Sequence, residues 1–459
     1  MRPRQDTDIS TNSFNDKRLE KRFAIILDAL QSRPQASIPQ ACQSPAEIEA
    51  AYRFLESERV HVAAIDCSIY QETLKRAMGN KVILAAQDTS TYNYSTQKNI
   101  KGLGPIDQKK TQGALMHSAF AISTAGLPLG LLDRRLWTRD GKEFGKKKMR
   151  RLKKTEEKES QRWIDCEAAI AERVPQGMRV VVISDREGDF YDHFAASRQP
   201  GIDLLVRISH NRKTDDSDVD TLFSRLEESE PRGEYQVTTI DPRNGKERTA
   251  IVTYRYTEVA LRAPQGDRIM HTQPITLWAI MAREEHPPEG VRGLEWKLLT
   301  TLEIQSDEDA LQFIRWYSYR WTIERFHYIL KSGCQVEKLQ LETAERIEKA
   351  IALYSAVAAR ILYMTYLGRK EPDTSVEAIL TQPEWEALYC TIHKTRIPPA
   401  KPPTVKNAII MIAKLGGFLA RKGDGDPGVK RIWYGLRRLS DITEAYLLFA
   451  SPMKEKRCG

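Results

Sequence analysis

Trp316-Tyr-Ser-Tyr-Arg-Trp-Thr-Ile-Glu-Arg-Phe-His-Tyr-Ile-Leu-Lys331 contains neither glycine nor proline. Ser306-Asp307 lie before it and Ser332-Gly333 after it, so the stretch predicts one uninterrupted helix. At about 100° per residue, Tyr317, Arg320, Glu324 and Lys331 fall within an arc of roughly 60°. Trp316, Tyr319, Ile323, Phe326, Ile329 and Leu330 take the other side, an apolar face suited to burial against a sheet. One carboxylate is thereby held among a guanidinium, a phenol and an ammonium, a grouping that suits metal-assisted chemistry at a phosphate. Alone, the same face also reads as a solvated surface with spaced ion pairs; the rest of the chain has to choose.

Two further acids close apolar runs. Val82-Ile-Leu-Ala-Ala-Gln-Asp88 and Arg179-Val-Val-Val-Ile-Ser-Asp185 both read as buried strands ending in a carboxylate. Between them, residues 114–123 and 127–137 are runs joined by Thr124-Ala-Gly126, a hairpin signal. A basic helical segment, Gly145-Lys-Lys-Lys-Met-Arg-Arg-Leu-Lys-Lys154, follows and continues through 161–174. Strand, hairpin, helix and strand in that order predict a mixed α/β sheet, with sites gathering at the carboxyl ends of its strands. Asp88 and Asp185 each also read singly as turn or cap residues. Together with Glu324 they make three carboxylates with no His or Cys cluster, a set that suits hard cations such as Mg²⁺ or Mn²⁺. Two such ions about 4 Å apart activate an attacking oxygen and stabilise a leaving one in phosphodiester chemistry.

The composition agrees with a polyanionic partner. A chain of 459 residues with net charge +9 is a basic protein whose simplest partner is nucleic acid. Cys42, Cys67, Cys166, Cys334, Cys390 and Cys458 are scattered, with no CxxC or Cys/His pairing, which predicts reduced thiols, a cytosolic setting and no zinc site. No signal peptide and no run of about 18 apolar residues is expected, so no membrane association is predicted.

Residues 14–80 predict a small helical module. Asn15 or Asp16 caps a helix with Leu19, Phe23, Ile26, Leu27 and Leu30 on one face and Lys17, Arg18, Lys21 and Arg22 on another. Ser44-Pro45-Ala46-Glu47 reads as a capping box opening a helix over 46–56, and a third helix over 62–78 closes at Gly79-Asn80. The basic stripe suits DNA docking, or equally a solvated face. Between Asp185 and Glu324 lie 138 residues. There 204–208 continues the sheet, while 235–239, 249–256, 275–282 and 296–301 predict a strand-rich insertion. Trp296 reads either as a platform for a base displaced from the DNA stack or as a core tryptophan. Arg207 and Arg212 are candidate contacts to the DNA backbone, and His117 reads as a hydrogen-bonded core histidine. A long Ala-rich helix over 343–367 ends at Gly368, 375–393 continues helically, and Ile397-Pro-Pro-Ala-Lys-Pro-Pro403 is a stiff linker. Helices over 408–419 and 429–449 follow.

Asp88, the Asp185-Arg-Glu strand end and Tyr317-x2-Arg320-x3-Glu324-x6-Lys331 resemble the DDE transposases of bacterial cut-and-paste insertion sequences, in the branch with the Tyr-Arg-Glu-Lys helix signature. That branch is typified by the transposase of the kanamycin-resistance composite transposon. Ala51-Tyr-Arg-Phe54, Gly113…His117-Ser118, Glu157-Lys-Glu-Ser160…Trp163, Val206-Arg207, Trp296-x-Leu-Leu-Thr300 and Leu415-Gly-Gly-Phe418 extend the likeness over most of the chain. The resemblance implies an α/β, ribonuclease H-like mixed-sheet catalytic core with a β-rich insertion and helical domains at both ends. The expected layout is a DNA-end-binding domain over 1–80, the core over 81–210 and 303–370, the insertion over 211–302, and a helical dimerisation domain over 371–459.

It also implies roles. Asp88, Asp185 and Glu324 would hold two Mg²⁺ (or Mn²⁺) ions, and Tyr317, Arg320 and Lys331 would grip phosphates of the transposon end. A homodimer on paired double-stranded ends would nick, form and open a hairpin, and join the 3′ ends to target DNA, in the bacterial cytoplasm at the nucleoid. Two other readings stand beside this one: a transposase-derived DNA-binding protein without catalysis, and a ribonuclease H-like nuclease without strand transfer.

Overall fold

The computed structural model describes residues 14, 16–108, 110–141, 153–215, 221–241, 243, 247–265 and 273–450. The basic run at Lys146–Lys154 falls outside these as far as residue 152, and so does the first stretch of the N-terminal domain.

The N-terminal module has four helices: α1 (Lys17–Ser32), α2 (Ile38–Ala41), α3 (Pro45–Glu56) and α4 (Val62–Ala77). Asp16 starts α1 by accepting from the Arg18 N–H at 2.8 Å, and Phe23, Ile26, Leu27 and Leu30 face inward. Ser44 caps α3 through the Glu47 N–H at 3.3 Å. The expected reciprocal bond goes elsewhere, since the Glu47 carboxylate accepts from the Gln43 N–H at 2.7 Å.

The core strands are β1 (Val82–Asn93), β2 (Gly104–Pro105), β3 (Gln112–Ser123), β4 (Pro128–Trp137), β5 (Arg179–Ser184) and β6 (Ile202–Arg207), with α5 (Gln161–Arg173) crossing between β4 and β5 and the short α6 (Tyr191–Ala195) before β6. β1 corrects the expectation that Asp88 ends a strand, for it runs five residues further. Thr89, Thr91 and Tyr92 favour extended backbone, and each pairs with β3, down to Tyr92 opposite Ala114. On its other edge β1 pairs in parallel with β5 only as far as Ala86 opposite Ile183. The sheet therefore opens on that side at the level of Asp88.

The insertion holds α7 (Leu222–Glu228), β7 (Gly233–Ile240), β8 (Glu247–Leu261), β9 (Ile275–Arg283) and β10 (Glu295–Thr300), close to the predicted strands. β10 pairs antiparallel with β6, Leu299 opposite Val206. The insertion thus extends the core sheet, giving ten strands ordered β2-β3-β1-β5-β6-β10-β9-β8-β7, with β4 on β3.

The stretch from Trp316 to Lys331 is not one helix. α8 (Asp307–Ser318) and α9 (Trp321–Tyr328) are separated by a turn at Tyr319-Arg320, and α9 runs into a π-turn over Ile329–Gly333. The Tyr319, Arg320, Thr322 and Ile323 amides reach back only three residues, to the Trp316, Tyr317, Tyr319 and Arg320 carbonyls. That tightening breaks the α ladder without a proline or glycine. Periodicity misses it because the backbone stays near helical dihedrals throughout. The apolar face behaves as expected, with Trp316, Ile323, Phe326, Ile329 and Leu330 all buried.

α10 (Ala344–Lys370) does not stop at Gly368. That glycine lies inside the helix, where an added Cβ would come within 3.2 Å of Ile409. α10 is long and apolar enough to cross a membrane by length and composition, but 83% of its most apolar window is buried within the fold. It is the core helix against which α12 (Val405–Leu415) and α13 (Val429–Ala450) pack, while α11 (Gln382–His393) packs on those two. The proline-rich segment at 397–403 carries no helix or strand. Cys42, Cys67, Cys166, Cys334 and Cys390 are free thiols.

Candidate active site

The parallel register carries the two aspartates to the same level. Ala86 pairs with Ile183, so two residues further along each chain Asp88 and Asp185 project from the same face of the sheet. Asp185 also serves its turn, accepting from the Glu187 N–H at 2.9 Å, so the turn reading and the site reading hold together. α9 lies across this face and presents Glu324, whose carboxylate meets Arg320 at 2.5 Å.

The three acids and Arg320 are linked electrostatically. Burial, then the charge of Asp185, and further on that of Glu324, push the Asp88 carboxyl up to about 7, against the pull of Arg320. Burial pulls the Arg320 guanidinium down, but Tyr317, Glu324 and Asp185 outweigh it and hold the group above its ordinary range. Lys331 sits below its ordinary range through burial, opposed by Glu337, Asp88 and Asp107.

The other predicted residues divide. Tyr317 is buried, which raises its hydroxyl above the ordinary range against the nearby charges of Arg320 and Arg207. Trp296 on β10 is half-buried, with its ring edge-on to Tyr317 at 5.6 Å. Arg207 also donates to the Glu295 carbonyl at 2.9 Å. Arg212 is committed elsewhere, paired with buried Asp189 at 2.5 Å and lying over Phe194. Lys17 and Arg18 are exposed on α1 and Arg22 is half-buried beside them, on a different module from the acids. His117 is a core histidine, bonded to Thr89 at 2.9 Å and Gln87 at 3.0 Å.

Sequence reading passed over Arg162, which ties the two acidic strand tips together. It donates to the Thr89 hydroxyl at 2.9 Å and pairs with Glu187 at 2.7 Å. Only its place beside Trp163 in the Glu-Lys-Glu-Ser segment hinted at this. Trp321 was missed as well. It lies beside Arg320, within 5.9 Å, and is 59% exposed, unusual for so large a side chain.

The residues 6–60 match a model described as transposase DNA-binding, 139–360 one described as transposase DDE domain, and 356–452 one described as transposase Tn5 dimerisation domain. The chain carries the three domains of a Tn5-type DDE transposase. A DDE domain implies a ribonuclease H-like fold, and the mixed sheet with its parallel β1, β5 and β6 is compatible with it. The outer domains give the transposase DNA and a second copy of itself as partners. Asp185 and Glu324 lie inside the DDE match, whereas Asp88 lies outside all three. The case for Asp88 therefore rests on its register with Asp185.

DDE transposases as a family use divalent metals. Among the described residues, no group of three or more His, Cys, Asp or Glu is placed where it could hold a metal ion, with Glu324 turned onto Arg320 and Asp185 onto its own turn. The donor chemistry nevertheless fits a hard cation. Burial first, and then the charges of Asp185 and Glu324, drive the Asp88 carboxyl towards the neutral form, and a bound cation would relieve both.

Proposed function

We propose that this transposase binds the terminal inverted repeats of its transposon as a paired homodimer, cleaves both strands and joins the 3′ ends to target DNA. The single observation that carries the reading is the parallel register that brings Asp88 and Asp185 to one level of the sheet, faced by the helix that carries Glu324. Asp88, Asp185 and Glu324 are the catalytic and metal-holding residues, for two Mg²⁺ ions or Mn²⁺ in their place. When bound, such ions polarise the scissile phosphate and acidify the attacking hydroxyl.

The chain's own groups do the rest. Arg320 and Lys331 meet the negative charge that grows on the phosphate. Tyr317 adds a hydroxyl contact, steadied by Arg207. Lys17, Arg18 and Arg22 hold the transposon end at the N-terminal module by neutralising backbone phosphates. The first nick frees a 3′-hydroxyl that attacks the opposite strand as a hairpin. Trp296, edge-on to Tyr317, receives the base displaced there. Leu448 and Phe449, 76% and 88% exposed at the end of α13, supply apolar surface for the second copy. Acting on chromosomal DNA, the protein works in the bacterial cytoplasm at the nucleoid.

The test incubates purified protein with a plasmid carrying the inverted repeats that flank its gene, with Mg²⁺. Hairpin-ended excision products that vanish in Asp88→Ala and Glu324→Ala are expected. Binding without cleavage by the intact protein would instead mark a transposase-derived DNA-binding protein, and unjoined nicks at random positions a general nuclease.

A further inference from the structure

β1 continues past Asp88, and its next side chains on the same face are Ser90 and Tyr92. Tyr92 lies about 13 Å beyond Asp88 along the strand, just as Lys331 lies about 10 Å beyond Glu324 along the helix. Strand and helix thus meet at two rungs. One joins the acids; the other joins Tyr92, His327 and Lys331. Tyr92 is fully buried, and its hydroxyl shares a 3.0 Å hydrogen bond with His327 Nδ1. Burial, followed by the charge of Lys331, lowers His327 to about 3, so the imidazole is neutral. The Lys331 ammonium stands 5.3 Å from the centre of the Tyr92 ring.

Among the described residues Lys331 has no carboxylate within salt-bridge distance, unlike Arg320 with its 2.5 Å pair to Glu324. A ring face attracts an ammonium without neutralising it. The backbone beneath is fixed as well. The π-turn closes with the Cys334 N–H on the Ile329 carbonyl at 2.8 Å, and Trp433 from α13 packs so tightly under Gly333 that an added Cβ would come within 2.9 Å of it. Inserting one residue into a helix swings everything after it by about 100°, so the π-turn decides where Lys331 points and the Tyr92 ring decides where it stops.

We propose that Tyr92, locked by His327, is a positioning residue whose ring face seats the Lys331 ammonium in the active site with its charge left free for a DNA phosphate. This rests on the transposase reading above, and the test separates the two. The seat is read without DNA. In protein carrying ¹³C-labelled lysine, the Lys331 ε-methylene resonance, assigned by its loss in Lys331→Ala, is expected upfield from the ring current. Tyr92→Phe keeps the shift and Tyr92→Leu abolishes it. Activity is read on the inverted-repeat plasmid with Mg²⁺. Tyr92→Leu is expected to lower the cleavage rate about tenfold, as losing a desolvated cation–π contact should, with Tyr92→Phe close to the parent. In the Lys331→Ala background, Tyr92→Leu should add nothing further. A melting scan of each variant shows whether it is folded. An unshifted Lys331 resonance in the parent, or a Tyr92→Leu loss as large with Lys331 absent as with it present, overturns the seat. A parent resonance that is shifted, with Lys331→Ala cleaving at full rate, leaves the seat standing and removes its role in the reaction.

Discussion

Replacing Asp88 by Asn should make the metal-free transposase more stable at alkaline pH, although it removes one of the proposed catalytic acids. The folded carboxyl titrates near 7 against an ordinary value of 3.8, chiefly because it is buried and then because Asp185 and Glu324 crowd it. The folded state therefore binds the proton more tightly than the unfolded chain does, and stability falls as pH rises between the two values. Below about 4 both states are protonated and the group is neutral in effect. Above about 7 both are ionised, and the full penalty, at most roughly 4 kcal/mol, bears on the fold. Asn keeps the shape and removes the charge. In EDTA at pH 8 the variant should melt a few degrees above the parent, given the size of the chain, and at pH 4.5 the gap should shrink to roughly a quarter of that. Added Mg²⁺ should raise the parent and leave the variant nearly unmoved, because only the parent has the full acid set to bind it. The assay is a melting scan at both pH values, with and without the metal. An Asp88→Asn variant no more stable than the parent at pH 8 in EDTA would refute the crowding argument, and an equal Mg²⁺ shift in both would refute the assignment of Asp88 to the metal.

Three further outcomes follow from other parts of the fold. Gly188→Ala should lower cleavage at least tenfold with DNA binding retained, since the new Cβ would lie 2.4 Å from the Ser184 hydroxyl and push the turn that carries Asp185; a gel-shift beside the cleavage assay measures both. Arg134→Met should destabilise the protein by about 3–5 kcal/mol in a denaturant titration, because it strands buried Asp66, its partner at 2.6 Å, between the N-terminal module and β4. Adding Asp66→Leu should recover much of that loss. Trp296→Ala should leave the first nick intact and reduce hairpin formation, read on a denaturing gel of end-labelled plasmid; equal loss of both products would make Trp296 only a packing partner of Tyr317.

Much of the site was legible because its residues sit on elements with strong local signals. The runs before Asp88 and Asp185 are apolar and β-branched enough to be buried strands in any context, and the alternating segments of the insertion lie close to β7–β10. What periodicity could not supply was pairing. Nothing in Thr89–Asn93 says that β3 will accompany β1 past Asp88 while β5 falls away, nor that β10 will return to β6 and make the insertion part of one sheet. Arg212 looked like a free cation beside a strand, and only the fold brings buried Asp189 to it.

By itself the sequence determined the composition of the site: three carboxylates without His or Cys, a basic balance suited to DNA, and a helical stretch with one charged and one apolar face. These are local properties, written in residue type and spacing. The tertiary structure alone decided that the charged stretch breaks at Tyr319-Arg320 and ends in a π-turn, that Glu324, paired with Arg320, comes near enough for its charge to act on Asp88, and that Lys331 rests over Tyr92. Those outcomes depend on contacts between segments far apart in sequence, from Gly333 against Trp433 to Tyr92 against Lys331, where packing and hydrogen bonding override the small energy differences between one helical turn and another.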